Sequence, residues 1–275
     1  LQITPHYLPR IGGMERYVHN LSKKLVQRGH EVEVVTSGTD GGVHTEILDG
    51  ISVTRCPCLI EPMRNPIAPT MFALDEKINA ADIVHVHNVF GFPALAVYYY
   101  KKRYNTIQTV LTHHGQLAYG GLQQWILRMY EKVCMKGILN CIDNLVVLSE
   151  SDATYMSPFM HEKGKIHVIP NAMDFESFQP HIVREPAEFL DRYGLRGKKV
   201  ILFVGQILRR KGIDYLVRSV CHIRERMGPG VFSCVIVGDG DYLKDAKRMA
   251  DSLGLADIQF TGKLSFPMLV QAYQA

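Results

Sequence analysis

The sequence predicts an α/β protein made of two successive doubly wound units, each a parallel sheet covered by helices. Three observations carry this expectation. Apolar strands alternate with amphipathic helices along nearly the whole chain, glycine turns join strand ends to helix starts, and one polar stretch near 170–180 interrupts the alternation. A chain of 275 residues that is 47% hydrophobic and 21% charged is long enough for two such domains.

The first unit opens on a strand over 1–4, broken by Pro5 and Pro9, before Gly12-Gly13 admits a helix. Met14, Tyr17, Val18, Leu21, Leu25 and Val26 recur at helical spacing, and Gly29-His30 ends that helix. A strand over 31–36 completes a βαβ unit, which places the glycine turn at the carboxyl end of the first strand, the edge where ligands bind. A hairpin over 43–48 and 51–55 leads to a loop holding Pro57, Pro62, Pro66 and Pro69, expected on the surface and functional. Strands follow over 83–86, 109–112, 145–148 and 166–169, with helices over 93–102, 122–139 and 150–160 between them. The linker is placed between Asn171 and Pro180. Beyond it come helices over 187–193, 213–226 and 242–253, strands over 200–204, 232–237 and 258–260, and a last helix from Phe266. Three strands are fewer than a doubly wound sheet usually has, so the second unit is expected to be incomplete.

A formal net charge of +4 is too small and too dispersed for a nucleic-acid footprint and suits small anions or lipid head groups. The six cysteines form no CxxC pair and have no histidine at zinc-ligand spacing, so they read as reduced thiols. No apolar run reaches the roughly 18 residues that span a bilayer, and no signal peptide precedes the first strand. A cytoplasmic location is the expectation.

Four clusters carry chemistry. Gly12-Gly13 lets backbone N–H groups at a helix start approach a phosphate, although ligand-free turn glycines are common. Val204-Gly205-Gln206 followed by Arg209-Arg210-Lys211-Gly212 ends a strand in glycine and then presents three cations beside a helix N-terminus, an arrangement suited to a diphosphate; a solvated basic loop is the alternative. Gly238-Asp239-Gly240 resembles half a dinucleotide fingerprint, but Tyr242-Leu243 replaces the third glycine, which disfavours NAD and leaves a packing turn. His85 and His87 share one face of a strand, while His113 and His114 point apart at the end of another. Histidines at two neighbouring strand ends point to a site, and no carboxylate or thiolate joins them at metal-ligand spacing.

Taken in order, residues 9–15 (PRIGGME), 29–32 (GHEV), 82–87 (DIVHVH), 112–115 (THHG), 147–149 (VLS), 169–174 (IPNAMD), 204–212, 237–240 and 260–262 (FTG) resemble the family 4 glycosyltransferases. The resemblance implies a GT-B fold: two Rossmann-like domains, 1–178 on the acceptor side and 179–275 for the nucleotide sugar, facing a cleft. It implies a retaining transfer from a UDP-, GDP- or ADP-sugar to a glycan, lipid-linked or other hydroxyl acceptor, without a metal ion or other cofactor. By carry-over, Lys211 binds the donor diphosphate and stabilises the leaving charge, with Gly205, Gln206 and Arg210 beside it. Gly12 and Gly13 line diphosphate and sugar from the other domain. His114 lies near the reacting sugar, His87 and His113 stand on the acceptor side with His113 facing outward, and Lys263 and Leu264 hold the base.

The sequence departs from the family pattern at Gln206, where arginine is usual, and at Ala172, where glycine usually follows Asn171. The family's acidic motif would fall beyond Ala275, so these residues alone are expected not to turn over substrate. A catalytically silent nucleotide-sugar-binding subunit is the alternative that Gln206 and this motif leave open. Arg16, His19, Lys23, Lys24, Gln27 and Arg28 lie opposite the apolar stripe of the first helix. Relatives with lipid-linked acceptors dock on the inner face of membranes through such a basic face, and a solvated helix face is the competing explanation.

Overall fold

A computed structural model describes residues 1–10, 12–38, 41–115, 121–162 and 165–275. The chain divides into two compact units, Leu1–Met173 and Asp174–Ala275.

The first unit is built on an eight-stranded sheet. Its strands are β1 (Gln2–Thr4), β2 (Glu33–Gly38), β3 (His44–Leu48), β4 (Ile51–Pro57), β5 (Ile83–His87), β6 (Gln108–His113), β7 (Asn144–Val147) and β8 (Ile166–Val168). They lie in the order β3-β4-β2-β1-β5-β6-β7-β8, and every neighbouring pair is parallel except β3 with β4. That exception is a tight hairpin. Leu48 pairs with Ile51 across Asp49-Gly50, both at positive φ (50° and 79°), the two-residue turn whose twist matches the flanking strands.

Side-chain alternation along the strands divides the core between the two sheet faces. Val34, Ile51 and Val53 pack with Tyr7 and with Val18 of helix α1 (Gly13–Gln27). Val35, Val84, Val86, Leu111, Leu145 and Val147 face the larger cluster, which takes in Ala94, Val97 and Tyr100 of α3 (Phe92–Arg103). The proline-rich segment is less superficial than expected. Its two short 3₁₀ turns, Pro62–Arg64 and Pro69–Phe72, flank a fully buried Ala68, and Met71 is buried as well, so the segment closes the core and leads into α2 (Asp75–Ala80).

The helix expected over 122–139 is α4 (Gly121–Tyr130) running through a π-turn (Glu131–Met135) into α5 (Lys136–Cys141). Burial changes along it: only Leu127 is buried in α4, whereas Met135, Ile138 and Leu139 are buried from the π-turn onward. α6 (Glu150–Met156) follows β7, its N-cap Ser149 accepting from the Asp152 N–H at 3.2 Å.

The second unit has a three-stranded parallel sheet, β9 (Lys199–Val204), β10 (Phe232–Val237) and β11 (Ile258–Gly262), with β10 central and buried throughout. Helices cover both faces, as doubly wound packing requires. Cys234 and Ile236 pack toward α8 (Ile213–Met227) and α9 (Leu243–Ser252), while Val235 and Val237 pack toward α7 (Ala187–Arg192) and α10 (Phe266–Gln274). All six cysteines are free thiols, Cys56 and Cys234 buried and the rest half-buried.

An ion pair between buried Lys101 and half-buried Asp143 ties the amino ends of β6 and β7 to α3. Lys101 Nζ donates to Asp143 at 2.8 and 3.0 Å and to the Ile107 carbonyl at 2.6 Å, while Asp143 also accepts from the Thr109 N–H at 2.7 Å and hydroxyl at 2.9 Å. Burial pushes the Asp143 carboxyl up, but the Lys101 ammonium and the Thr109 donors outweigh it and hold the group below its ordinary value. Asp143→Asn should destabilise the protein by about 1–3 kcal/mol, because the buried Lys101 ammonium loses its counter-charge but keeps the Ile107 carbonyl. Because the folded pKa is depressed, the wild-type advantage is present above the ordinary carboxylate pKa and disappears as pH falls through the folded value. Urea titrations of both proteins from neutral pH into acid check this; a difference that does not narrow in acid contradicts the assignment.

Candidate functional site

Parallel pairing puts the carboxyl ends of the strands along one edge of each sheet, and most of the sequence-derived candidates stand there. In the first unit the edge gathers histidines. His87 ends β5, and its Nε2 lies 2.7 Å from Gln2 Oε1 of β1; its Nδ1 lies 3.2 Å from His114 Nε2, just beyond β6. His85 Nε2 contacts the Thr112 hydroxyl at 2.7 Å, and Tyr17 of α1 stands edge-on to His114 at 4.9 Å.

This chain of contacts sets the tautomers. With Gln2 Oε1 toward it, His87 carries its proton on Nε2, so its Nδ1 lone pair accepts from His114 Nε2–H and His114 retains a lone pair on Nδ1. Burial drives the ring pKa values down, to about 3 for His85 and about 4 for His114, with His87 well below its ordinary value, and the neighbouring rings add to the shift. The cluster is therefore uncharged near neutrality. It offers a neutral, directional contact to a hydroxyl rather than a positive charge to a phosphate.

His113 does not face outward. It is completely buried on the opposite face of the sheet from His114, between Phe90 and Tyr155, and neither ring nitrogen has a hydrogen-bond partner among the described residues. His87 is also fully buried, reaching the edge only through His114. His19 departs from its expected solvent face too. It is buried, linking the Tyr7 hydroxyl (2.9 Å) to Asp49 of the hairpin turn (3.1 Å).

Gly12 caps α1 in extended conformation, and a Cβ there would collide with the folded-back Glu15 carboxylate. Gly13, the first helical residue, is open, with nothing within 4 Å of where its Cβ would be. Glu15 is buried with its carboxyl folded back onto Gly12, so an acidic side chain already occupies the α1 N-terminus. Ile11, at the end of that loop, lies outside the described residues.

In the second unit three strand ends converge. The turn after β9 pairs with the turn after β10: Gly205 N–H donates to the Val237 carbonyl at 3.0 Å, and Ile207 N–H to the Asp239 carbonyl at 2.9 Å. Gly238 N–H reaches the Gly262 carbonyl at the end of β11 at 2.9 Å. A Cβ on Gly238 would overlap the Gly205 carbonyl, and one on Gly240 would overlap that of Ile207. These two glycines let backbone approach backbone, as a packing turn requires.

Gly205 has no such constraint, since a Cβ there would make only an ordinary contact with Phe203. Gln206 is exposed. Arg209, Arg210 and Lys211 form an exposed 3₁₀ turn closed by Gly212 at φ 71°, which caps α8; none of the three has an ion pair among the described residues. Lys263 is exposed beyond β11, while Leu264 packs into the core with Met268, so only its backbone faces the edge. Among the described residues, no three His, Cys, Asp or Glu side chains converge to hold a metal ion.

The family model described as Glycosyltransferase Family 4 matches residues 11–177, more than half of the chain. This chain belongs to glycosyltransferase family 4. A second model, Glycosyl transferases group 1, matches residues 188–275. Among curated relatives, the phosphatidylinositol N-acetylglucosaminyltransferase GPI3 subunit of Saccharomyces cerevisiae is 28% identical over 270 residues, covering 90% of this chain and 54% of that one. The chain thus spans about half the length of that relative.

Solved structures agree on the GT-B fold. WaaG, a glycosyltransferase of lipopolysaccharide biosynthesis, superposes with a TM-score of 0.71 at 15% identity, over 99% of this chain and 71% of WaaG. HepE of Anabaena, in complex with UDP and glucose, gives 0.71 at 16% identity, over 98% of this chain and 71% of HepE.

Gln2 and Tyr17 were not among the candidates read from the sequence, and Thr112 entered only as the first residue of the 112–115 motif. Gln2 carried a usable signal, because a polar side chain in a central parallel strand needs a buried partner.

His113→Phe should raise stability by about 1–2 kcal/mol by removing two buried, unpartnered nitrogens. Burial lowers the His113 pKa from 6.5 to about 4, so above pH 6.5 the ring is neutral whether folded or not. Between those values only the unfolded chain takes up the proton, and stability falls as pH falls. Thermal melts at steps between pH 7.5 and 4.5 should show a shallower acid loss in the variant; an unchanged slope contradicts the argument.

Proposed function

We propose that this chain acts as a retaining glycosyltransferase that moves a sugar from a nucleoside-diphosphate donor to a glycan or lipid-linked hydroxyl acceptor. The observation that carries the reading is the second-unit edge, where three backbone turns meet beneath three exposed cations free of ion pairs among the described residues. A diphosphate placed there meets N–H groups at the start of α8 and the charges of Arg209, Arg210 and Lys211. Lys211 stabilises the negative charge that develops on the leaving diphosphate, and Arg210 or Arg209 offsets the neutral Gln206. Lys263 and the Leu264 backbone flank the base.

In the first unit, the free Nδ1 lone pair of neutral His114 accepts from a sugar hydroxyl, while Gly13 leaves room for the sugar beside the α1 N-terminus. No metal ion or other cofactor enters this scheme, because the cations supply the charge. The family membership, the UDP and glucose bound in HepE and the phosphatidylinositol named for the yeast relative support the donor and acceptor classes.

Lys211→Ala in the complete protein should lower transfer by about a hundredfold or more, the scale for removing one charge-stabilising donor, while leaving the thermal midpoint unchanged. UDP-, GDP- and ADP-sugars would each be supplied, since the preferred donor also raises the midpoint with its concentration. Full turnover by the variant would contradict the role of the lysine. Donor-dependent stabilisation without any transfer by the wild type would favour the silent-subunit alternative.

A further inference from the structure

Strand β3 is an unprotected edge of the first unit's sheet. It lies outermost, beside β4, and residues 41–47 are all exposed, Val43 by 53% and Ile47 by 70%. An exposed strand edge presents unpaired N–H and C=O groups, and proteins usually blunt it with proline, lysine, a bulge or extreme shortness. The opposite edge strand, β8, has three residues. β3 has five, in unbroken register with β4, and holds neither proline nor lysine.

The hairpin fixes which backbone groups point outward. Its two-residue turn is closed by the hydrogen-bonded pair Leu48–Ile51, and bonded and non-bonded pairs alternate from there. Glu46–Val53 and His44–Arg55 are therefore bonded pairs, while Ile47–Ser52 and Thr45–Thr54 are not. The N–H and C=O of Thr45 and Ile47 point away from β4, and those of Val43, two residues before Thr45, follow the same alternation. Antiparallel pairing of two β3 strands about a two-fold axis at Thr45 uses all three residues: Thr45 meets Thr45, and Val43 meets Ile47 on either side. That register sets apolar against apolar at Val43 and Ile47 and opposes His44 to Glu46. Sliding the strands to the next bonded register in either direction would set His44 against His44 or Glu46 against Glu46. The strand is thus complementary to itself in one register, which identifies its occupant as a second copy of this chain.

We propose that β3 is a dimerisation edge: two copies pair their β3 strands antiparallel, with Thr45 on the two-fold axis, Val43 packed on Ile47 of the second copy and His44 beside Glu46 of the second copy. The Thr45 pair and each Val43–Ile47 pair exchange two backbone hydrogen bonds, and the two first-unit sheets join into one continuous sheet. Glu46 keeps its bond from Arg55 Nε within its own hairpin at 2.6 Å, which holds the carboxylate at the edge. A five-residue strand makes a small interface, so the dimer forms as concentration rises rather than at all dilutions.

Sedimentation velocity of the complete protein across the micromolar range tests this, with the mean mass rising from one copy toward two. Val43→Asp and Ile47→Lys should each weaken association about tenfold or more, since each places a charge against an apolar side chain of the second copy. Both side chains are exposed, so thermal midpoints measured on dilute protein should stay unchanged. Mixing the two variants should restore a dimer, because in the mixed pair the introduced carboxylate faces the introduced ammonium while the unaltered Val43 and Ile47 face each other. The restored dimer should weaken as salt rises. A single copy at every concentration would overturn the proposal, as would a dimer that neither substitution weakens, which would assign association to another surface. Mixed variants that associate no better than either alone would overturn the antiparallel register about Thr45.

Discussion

Parallel strand pairing is the constraint on which the rest of this structure depends. Every strand except β3 runs alongside its neighbours in the same direction, so each crossover returns the chain to the same amino edge, and each strand hands its following turn to the same carboxyl edge. Chemistry collects where the turns collect. The amino edge is left for closure: Lys101 and Asp143 bind the starts of β6 and β7 to α3, far along the strands from the histidines. In the second unit the same rule brings Gly205, Gly238 and Gly262, distant in sequence, into one hydrogen-bonded ladder of turns.

Desolvation decides what the histidines can do. Four imidazoles stand near the ends of β5 and β6, and burial holds all four neutral. Three of them join through hydrogen bonds and ring contacts with Gln2, Thr112 and Tyr17, so their polarity is satisfied and directed to the edge through His114. His113, one residue before His114, points to the other face, where its ring nitrogens meet no hydrogen-bond partner among the described residues. Positive charge is concentrated instead in the Arg209–Lys211 turn of the second unit, where the side chains are exposed. Neutral contacts thus gather at the carboxyl edge of the first unit, and exposed cations at that of the second.

The alternation of strands and helices was legible because each element has a strong period and a glycine or proline at its end. Tracts such as Val200–Val204 and Met14–Val26 announce themselves. Short elements escaped: α2 buries only Ile78, too little for periodicity to register, and the π-turn at Glu131–Met135 leaves no mark in a helical pattern. The candidate site was legible at His87, His114 and the Gly205–Gly212 turn, since strand ends and turn residues are local features. The partners Gln2 and Tyr17 were not, because strand order and helix rotation bring them there. His19 misled for the same reason: its neighbours on the helix are solvated, yet Asp49 and Tyr7 arrive from elsewhere and enclose it.

The central claim is that the carboxyl edge of the second unit binds a nucleoside diphosphate, and amide hydrogen exchange tests it most directly. With UDP, GDP or ADP added in turn to the complete protein, one of the three should slow exchange across residues 205–213 and at 238–240 and 263–264, where the proposed phosphates and base would sit. Protection confined to Leu1–Met173, or none with any of the three, would contradict the account.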